Sequence, residues 1–427
     1  MKPDRSYSSH RREQLSLMGS LSARKHFLHR RYILRRRVLQ AIALIFIIWN
    51  AIEVTWVRHL LLQADFTNKE PPRPSERIYI ASLHWNSEPV LRSHWNTAIV
   101  NLAEILGPEN IFVSIYESGS WDYSKDALRE LDRELDRMGV QRNITLSKTT
   151  HRDELSVTPV GDGWIDTPQG NRGLRRIPYL ARLRNLALRP LEDLSREGIT
   201  FNKILFVDDA AFIAKDVLTL LNTNGGTYAA ACALDFSIPP RYYDTFALRD
   251  SDGYGHLMQT WPFFRSSVSR DAMKSFSPVP VASCWNGMVS MPAEPFISST
   301  PLRFRAIPDS LAISHLEGSE CCLIHADNPL SAQKGVYLNP NVRVGYDGSS
   351  FETVRPIQYW LSFWRIARGL WENRLRRWTT LSIFTKESVV RKRVQKWKNL
   401  SKQNHEHGDF CLIDEMQVLV PAGWIHV

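Results

Sequence analysis

Apolar positions in this chain fall into three patterns, each predicting a different element. The longest is continuous. Residues 38–57, VLQAIALIFIIWNAIEVTWV, have about the length that crosses a bilayer as a helix, with Gln40, Asn50 and Glu53 as polar interruptions. Short apolar runs bounded by polar residues predict buried strands at 77–83, 110–116, 143–147, 204–207 and 228–234. Recurrence at three and four residues predicts amphipathic helices. Leu128, Leu131, Leu135 and Met138 form such a stripe within 122–138, as do Leu180, Leu183, Ala187 and Leu191 within 176–191. A further helical stretch covers 88–106. Strands alternating with helices predict an α/β domain whose mainly parallel sheet carries helices on both faces.

Charge assigns the two sides of the long apolar segment. Residues 1–37 carry eleven Lys/Arg against two Asp/Glu, so the positive-inside rule places the N-terminus in the cytoplasm. A cleaved signal needs a shorter apolar core and a small-residue cleavage site, which this segment lacks. It therefore predicts a signal anchor with the body in the lumen. Residues 58–76, interrupted by Pro71, Pro72 and Pro74, predict an extended stem.

The formal charge of +10 hides a division, because residues 355–400 carry twelve Lys/Arg and two acids. Outside the two basic segments the chain sums to about −9. The body is acidic, so the basic total does not indicate nucleic-acid binding. Sequons at Asn143 and Asn399 are compatible with a lumenal body. The five cysteines show neither CxxC nor zinc spacing. Their odd number leaves at least one free or bonded between chains in an oxidising compartment. Adjacent Cys321 and Cys322 are not expected to bond each other, and small buried apolar residues would account for all five.

Candidate chemistry concentrates at strand ends. NKILFVDDAAFI, 202–213, closes a strand on Asp208 and Asp209, and ligands of open α/β sheets sit beyond the carboxyl ends of strands. Carboxylates there can hold a hard divalent cation, and the cation a diphosphate; a solvated turn is the plainer reading. The run 228–234 is expected to end on Asp235, before an aromatic, proline-containing loop with Asp244 and Asp250. On the 176–191 helix, Arg182, Arg184 and Asn185 lie away from the centre of the apolar stripe. Guanidinium forks near the aspartate strand could neutralise a diphosphate, and an ordinary solvated helix face is the alternative.

SCWNGMVSM, 283–291, sets Trp285 and Asn286 before Gly287 and an apolar strand, where the indole can stack on a sugar. EGSECCLIHAD, 317–327, predicts Glu320 just before another buried strand with His325 and Asp327 at its end. Residues 151–176 read as a loop able to order over a ligand. Residues 357–378 interleave tryptophan with arginine, which suits a membrane surface or a helix packed on the body. Residues 410–420 predict a last buried strand or short helix.

Seven stretches in order carry a resemblance: IPYLARLRNLAL, ILFVDDAAF, ALDFSIPPRYYDTFALRD, SCWNGM, SECCLIHAD, LNPNVRVGYD and FCLIDEMQVLV. Together they resemble the fungal capsule-associated α-1,3-mannosyltransferase family of cryptococcal polysaccharide synthesis. The resemblance implies a GT-A-like nucleotide-sugar transferase domain at 77–350, behind a cytoplasmic tail (1–37), a transmembrane anchor (38–57) and a stem (58–76). It implies a single-pass type II Golgi membrane protein, GDP-mannose as donor, a mannoside or polysaccharide acceptor, and Mn²⁺ or Mg²⁺ as cofactor. Carried over by position, Asp209 is the metal-binding acid and His325 a late metal ligand. Arg182, Arg184, Asn185 and Asp208 face the donor, and Trp285 and Asn286 are candidates for the acceptor. The basic, Trp-rich part of 351–427 lies outside the resemblance.

An α-linked donor and an α-mannoside product require retention of configuration. Same-face attack, with a leaving phosphate oxygen taking the acceptor's proton, needs no dedicated base. Double displacement needs a carboxylate nucleophile, for which Asp235 and Glu320 are candidates. The rival class is a membrane-anchored homologue that assists polysaccharide assembly or export without catalysis. A haloacid-dehalogenase-like phosphatase would need a second Asp two places after the first; Ala210 and Ala211 follow instead.

Overall fold

The computed structural model describes residues 6–67, 75–167, 170–355, 360–380 and 386–427. The chain divides into two units, Met1–Trp56 and Val57–Val427. The first unit is helical, part of one helix, Ser6–Thr67. That helix contains a stretch, Leu34–Ala64, of mean hydropathy 1.9, long and apolar enough to cross a membrane. It is longer than the expected 38–57. Residues 58–67 of the expected stem are helical, and Pro71, Pro72 and Pro74 lie outside the described residues.

The second unit is built on a mixed sheet. Its main strands are β1 (Ile78–His84), β2 (Ile111–Glu117), β3 (Gln141–Leu146), β4 (Lys203–Val207), β5 (Ala230–Ile238), β6 (Val279–Ser283), β7 (Met288–Pro292) and β8 (Val336–Gly345). The spatial order is β3-β2-β1-β4-β7-β5-β8-β6, with Arg249–Asp250 at the β6 edge and Arg241–Tyr242 beside β5. Strands β3, β2, β1 and β4 run parallel, β7 runs antiparallel between β4 and β5, and β8 runs parallel to β5. Most strands therefore point one way, with reversals at β7, β6 and the Arg241–Tyr242 pair.

Central strands are covered on both faces, which explains their unbroken apolar runs. Ile78 and Ile80 of β1 pack in one core with Trp95, Leu102, Leu128, Leu131 and Val217. Tyr79 between them faces the other way, and its hydroxyl donates to the Ala187 carbonyl at 2.7 Å. Ser114 of β2 donates to the same carbonyl at 2.7 Å. Pleat alternation thus seats the helix Arg176–Arg196 on one face, while the helices Asn96–Leu106, Ser124–Arg137 and Ala214–Leu221 cover the other. The expected 88–106 helix contains a π turn, Leu91–Trp95.

Four expectations change. Asp235 lies inside β5 and is fully buried, because β5 continues three residues past it to Ile238. Residues 320–327 form a helix, Glu320–Asp327, started by the Ser319 side chain accepting from the Cys321 amide at 3.2 Å. Four of the five cysteines are paired, Cys232–Cys284 and Cys322–Cys411, and only Cys321 is a free, buried thiol. Residues 151–176 are more ordered than a loop, with a helix His151–Ser156 and a small hairpin, Trp164–Asp166 and Arg172–Leu174.

Candidate active site

The site forms where β4 ends. Its backbone is fixed from three sides. Ser82 donates to the Val207 carbonyl at 2.6 Å, the Trp95 indole to the Asp208 carbonyl at 3.1 Å, and the Asp208 amide to the Gly287 carbonyl at 2.9 Å. Asn286 and Gly287 both sit at positive φ, 54° and 79°, turning the chain sharply into β7. A Cβ on Gly287 would meet the Val344 side chain at 2.9 Å, so this turn requires glycine.

The two aspartates are in different environments. Asp208 accepts from Arg184 Nη1 on Oδ1 at 3.1 Å and from Trp285 Nε1 on Oδ2 at 2.7 Å. Arg184 also donates through Nε to Glu320 at 3.0 Å, and its guanidinium lies 4.3 Å from the centroid of a Trp285 ring. Burial alone would lower the Arg184 pKa, but the surrounding Cys321, Asp208 and Glu320 groups hold it well above its usual value. Asp209 has no such partner. Among the described residues no side chain is hydrogen-bonded or ion-paired to its carboxylate, and burial together with the Asp208 charge raises its pKa to about 6.

Behind the pair lies a second carboxylate couple. Asp235 accepts from Asn286 Nδ2 at 2.7 Å, from the Tyr346 hydroxyl at 3.2 Å and from the Asp244 amide at 3.2 Å. Asp244 accepts from the amides of Phe246 at 3.0 Å and Ala247 at 2.9 Å. Burial raises the pKa of both, and for Asp235 the Asp244 charge adds to it.

A cavity of about 550 Å³ opens beside these groups. Asp208, Arg184, Trp285, Glu320, Asp244 and Tyr346 line it. The C-terminal hairpin, Gln417–Val420 with Gly423–His426, adds Gln417, Trp424 and His426. Arg176 lines it too. Its Nη1 donates to Gln417 Oε1 at 2.7 Å and its guanidinium lies 4.3 Å from the centroid of a Trp424 ring; among the described residues no carboxylate is bonded to it. Burial lowers its pKa. Cys322–Cys411, and the pairing of Leu412–Ile413 with Glu317–Gly318, hold this C-terminal stretch against the helix bearing Glu320.

Of the expected site residues, Asp208, Arg184, Trp285 and Glu320 meet at the cavity, with Asp209 next to them in the chain. Asn286 is buried against Asp235 and takes no part in the lining. Asp235 likewise stays behind the wall, where Asp244 lines the cavity in its place. Arg182 is two residues from Arg184, about 200° around a helix, so both cannot face the strand end. It pairs with Glu154 at 2.8 Å instead. Asn185 clamps Phe304, donating to its carbonyl at 2.8 Å and accepting from its amide at 3.0 Å. Both line a separate cavity of about 870 Å³.

His325 does not join the aspartates. It is buried beside the Cys232–Cys284 disulfide, its Nε2 is 2.5 Å from the Cys284 carbonyl, and burial pushes its pKa down to about 4. Sulfurs joined in a disulfide offer no thiolate, so His325, Cys232 and Cys284 do not form a metal site. Arg176, Tyr346 and the hairpin residues had no local signal of function. Arg176 opens the helix predicted at 176–191, Tyr346 and Gln417 lie in the motifs ending in VGYD and FCLIDEMQVLV, and Trp424 and His426 lie past the last motif.

A residue of this chemistry set fits a hard cation. Asp209 is an oxygen donor without a side-chain partner among the described residues; it does not itself line the cavity, whose lining carries Asp208, Asp244, Glu320, Glu387, Asp414 and Glu415 against Arg176, Arg184 and Arg249.

Residues 77–327 match the family model described as cryptococcal mannosyltransferase 1. The alpha-1,3-mannosyltransferase CMT1 of Cryptococcus neoformans var. neoformans serotype D is 29% identical over 269 residues, which cover 59% of this chain and 54% of that protein. The match therefore spans about half the length of that relative. Among solved structures, the Pyrobaculum calidifontis mannosyltransferase PcManGT, in complex with GDP-Man and Mn²⁺, aligns over 85% of this chain and 96% of its own, at 11% identity and a TM-score of 0.36. Staphylococcus aureus TarS 1–349 aligns over 77% of this chain and 82% of its own, at 10% identity and a TM-score of 0.36. With the family model matching well over half of its length, the chain belongs to the cryptococcal mannosyltransferase 1 family.

Proposed function

We propose that this protein is a metal-dependent glycosyltransferase that moves mannose from GDP-mannose to a mannoside acceptor, forming an α-1,3 linkage with retention. The observation that carries this reading is the division at the end of β4: Asp208 is fixed by Arg184 and Trp285, while Asp209 is left without a side-chain partner among the described residues. Family membership and the name of the relative support the choice of sugar and linkage.

Asp209 would hold the cation. A bound Mn²⁺ or Mg²⁺ supplies charge stabilisation to a leaving diphosphate. Arg184, locked between Asp208 and Glu320, keeps the carboxylate wall rigid and charge-balanced without offering itself to substrate. Arg176 presents a cation to the same cavity. The Trp424 ring provides an apolar face of the kind that covers sugar rings, whereas Trp285, expected to stack on a sugar, is 2% exposed and packed by Arg184, Phe206 and Phe304. Asp244 and Glu320 line the same space as acceptors for sugar hydroxyls.

Same-face attack fits this arrangement better than double displacement. Of the two candidate nucleophiles, Asp235 is buried behind the wall with both oxygens bonded. Glu320 lines the cavity but is ion-paired to Arg184. The transferase body is residues 77–350, completed by the C-terminal hairpin. The apolar stretch Leu34–Ala64 anchors it as a type II protein of the Golgi membrane, with the body lumenal. Two disulfides and exposed asparagines at both sequons accord with that compartment.

The test is incubation of the full chain with labelled GDP-mannose, Mn²⁺ and mannoside acceptors. Transfer of label to the acceptor is the expected result. Failure to bind GDP would sink the reading, and GDP binding without transfer or GDP release would favour the non-catalytic homologue.

A further inference from the structure

The helix Phe363–Thr379 is apolar on two opposite faces. Ile366, Gly369, Leu370 and Asn373 are buried on the body, and a Cβ on Gly369 would meet the Trp261 carbonyl oxygen at 2.3 Å, so this face is tightly seated. At 100° per residue, Trp364, Trp371, Leu375 and Trp378 fall in one stripe opposite that face. Trp364 is 78% exposed, Leu375 52% and Trp378 65%. A helix packed on a globular body ordinarily presents polar residues outward. Here the inward face already satisfies the packing, and the outward face carries the largest exposed aromatics of the C-terminal region.

Arginines border the stripe. Arg368, on its edge, is exposed, and Arg365 and Arg376 flank it on the same side. Across residues 363–400 eleven Lys/Arg face only two acids, Glu372 and Glu387. Tryptophan rings beside arginine forks match the boundary of a phospholipid layer, where an amphipathic ring meets a headgroup phosphate. The chain supplies the layer itself. Its apolar stretch ends at Ala64 and β1 begins at Ile78, a separation of at most about 50 Å when fully extended. A body tethered that closely meets the bilayer at high effective concentration, so a weak face suffices.

We propose that the outward face of Phe363–Thr379 docks on the phospholipid surface that holds the chain's own anchor, with Trp364, Leu375 and Trp378 at headgroup depth and Arg368 on lipid phosphate. The site described above takes no part in this. The proposal rests on the anchor reading, and the experiment separates the two. The full chain, with a protease site placed within residues 68–74, is reconstituted into phosphatidylcholine vesicles with and without about a third phosphatidylinositol, then cleaved and sedimented. The N-terminal fragment reports the anchor; the body reports the face.

The expected result is a body that stays with the vesicles after cleavage, more completely with phosphatidylinositol and less at high salt. Combined Trp364→Ser, Leu375→Ser and Trp378→Ser should lower the retained fraction at least about tenfold while leaving the melting temperature and GDP binding unchanged. Release of the unaltered body from both vesicle types would overturn the proposal, whatever the anchor does. Equal retention of the triple variant would also overturn it. A released body that sediments as a dimer, and as a monomer when the three residues are changed, would assign the face to a second copy instead.

Discussion

The Asp208 and Asp209 carboxylates, adjacent in sequence, are partnered in opposite ways: Asp208 is held on both oxygens by Arg184 and Trp285, and Asp209 by no side chain among the described residues. On the proposed reading the pair divides its work: Asp208 organises the wall, and Asp209 would hold the cation.

Arg184 is the centre of that wall. It is buried between Asp208 and Glu320, so removing it strands two carboxylates in a low-dielectric region. Arg184→Met should cost roughly 3 kcal/mol of stability in denaturant unfolding. Adding Glu320→Gln should recover part of that loss. A surface arginine would show neither effect.

Arg176 is cationic, lines the cavity and has a glutamine and a tryptophan for neighbours in place of an acid. Arg176→Gln should weaken GDP binding by about tenfold in calorimetry, the worth of one charge-assisted hydrogen bond, with little change in melting temperature. Unchanged affinity would remove Arg176 from the site.

The C-terminal hairpin reaches the cavity through Cys322–Cys411, a link closing 89 residues of chain. Loop-closure entropy assigns such a link roughly 4 kcal/mol. Cys411→Ser should therefore lower stability by an amount of that order. At temperatures where the variant remains folded, GDP affinity should also fall, because Gln417 and Trp424 lose their anchorage. Stability loss alone would mean that the hairpin is only packing.

Much of this architecture was legible in local pattern. Apolar runs located β1, β2 and β4 to within a residue or two, because strands buried on both faces must be continuously apolar. The stripe of Leu180, Leu183, Ala187 and Leu191 located the arginine helix. What failed was information carried by distant residues. CCLI in 321–324 reads equally as strand or helix, and the Ser319 cap decides for helix. Asp235 resembled a strand end because nothing nearby reveals that Asn286 and Tyr346 satisfy it inside the core. Arg182 and Arg184 looked equivalent until the turn of the helix separated them. His325 suggested a ligand by residue type, whereas its surroundings are a disulfide and a carbonyl.

His84 sits under the site with a fully buried ring, Nε2 2.8 Å from the Ser82 hydroxyl and Nδ1 3.1 Å from that of Ser87. Burial lowers its pKa to about 3, so the unfolded chain binds the proton more readily than the folded one below the ordinary value of 6.5. The stability this neutral histidine contributes is complete above about pH 6.5 and is lost as pH falls towards 3. Comparing wild type with His84→Gln isolates the effect from that of carboxylates with raised pKa. The stability difference should change by up to about 1.4 kcal/mol per pH unit below that point. A pH-independent difference would contradict a buried neutral ring.

The most direct measurement is Mn²⁺ binding by the full chain in the presence of GDP, followed by the electron paramagnetic resonance signal of the free ion. Asp209→Asn should weaken Mn²⁺ binding by at least about tenfold while the melting temperature holds, and Asp208→Asn should destabilise the fold yet keep Mn²⁺ affinity within a few-fold. Wild-type Mn²⁺ affinity in Asp209→Asn, with loss only in Asp208→Asn, would reverse the assignment of the pair and contradict the proposed site.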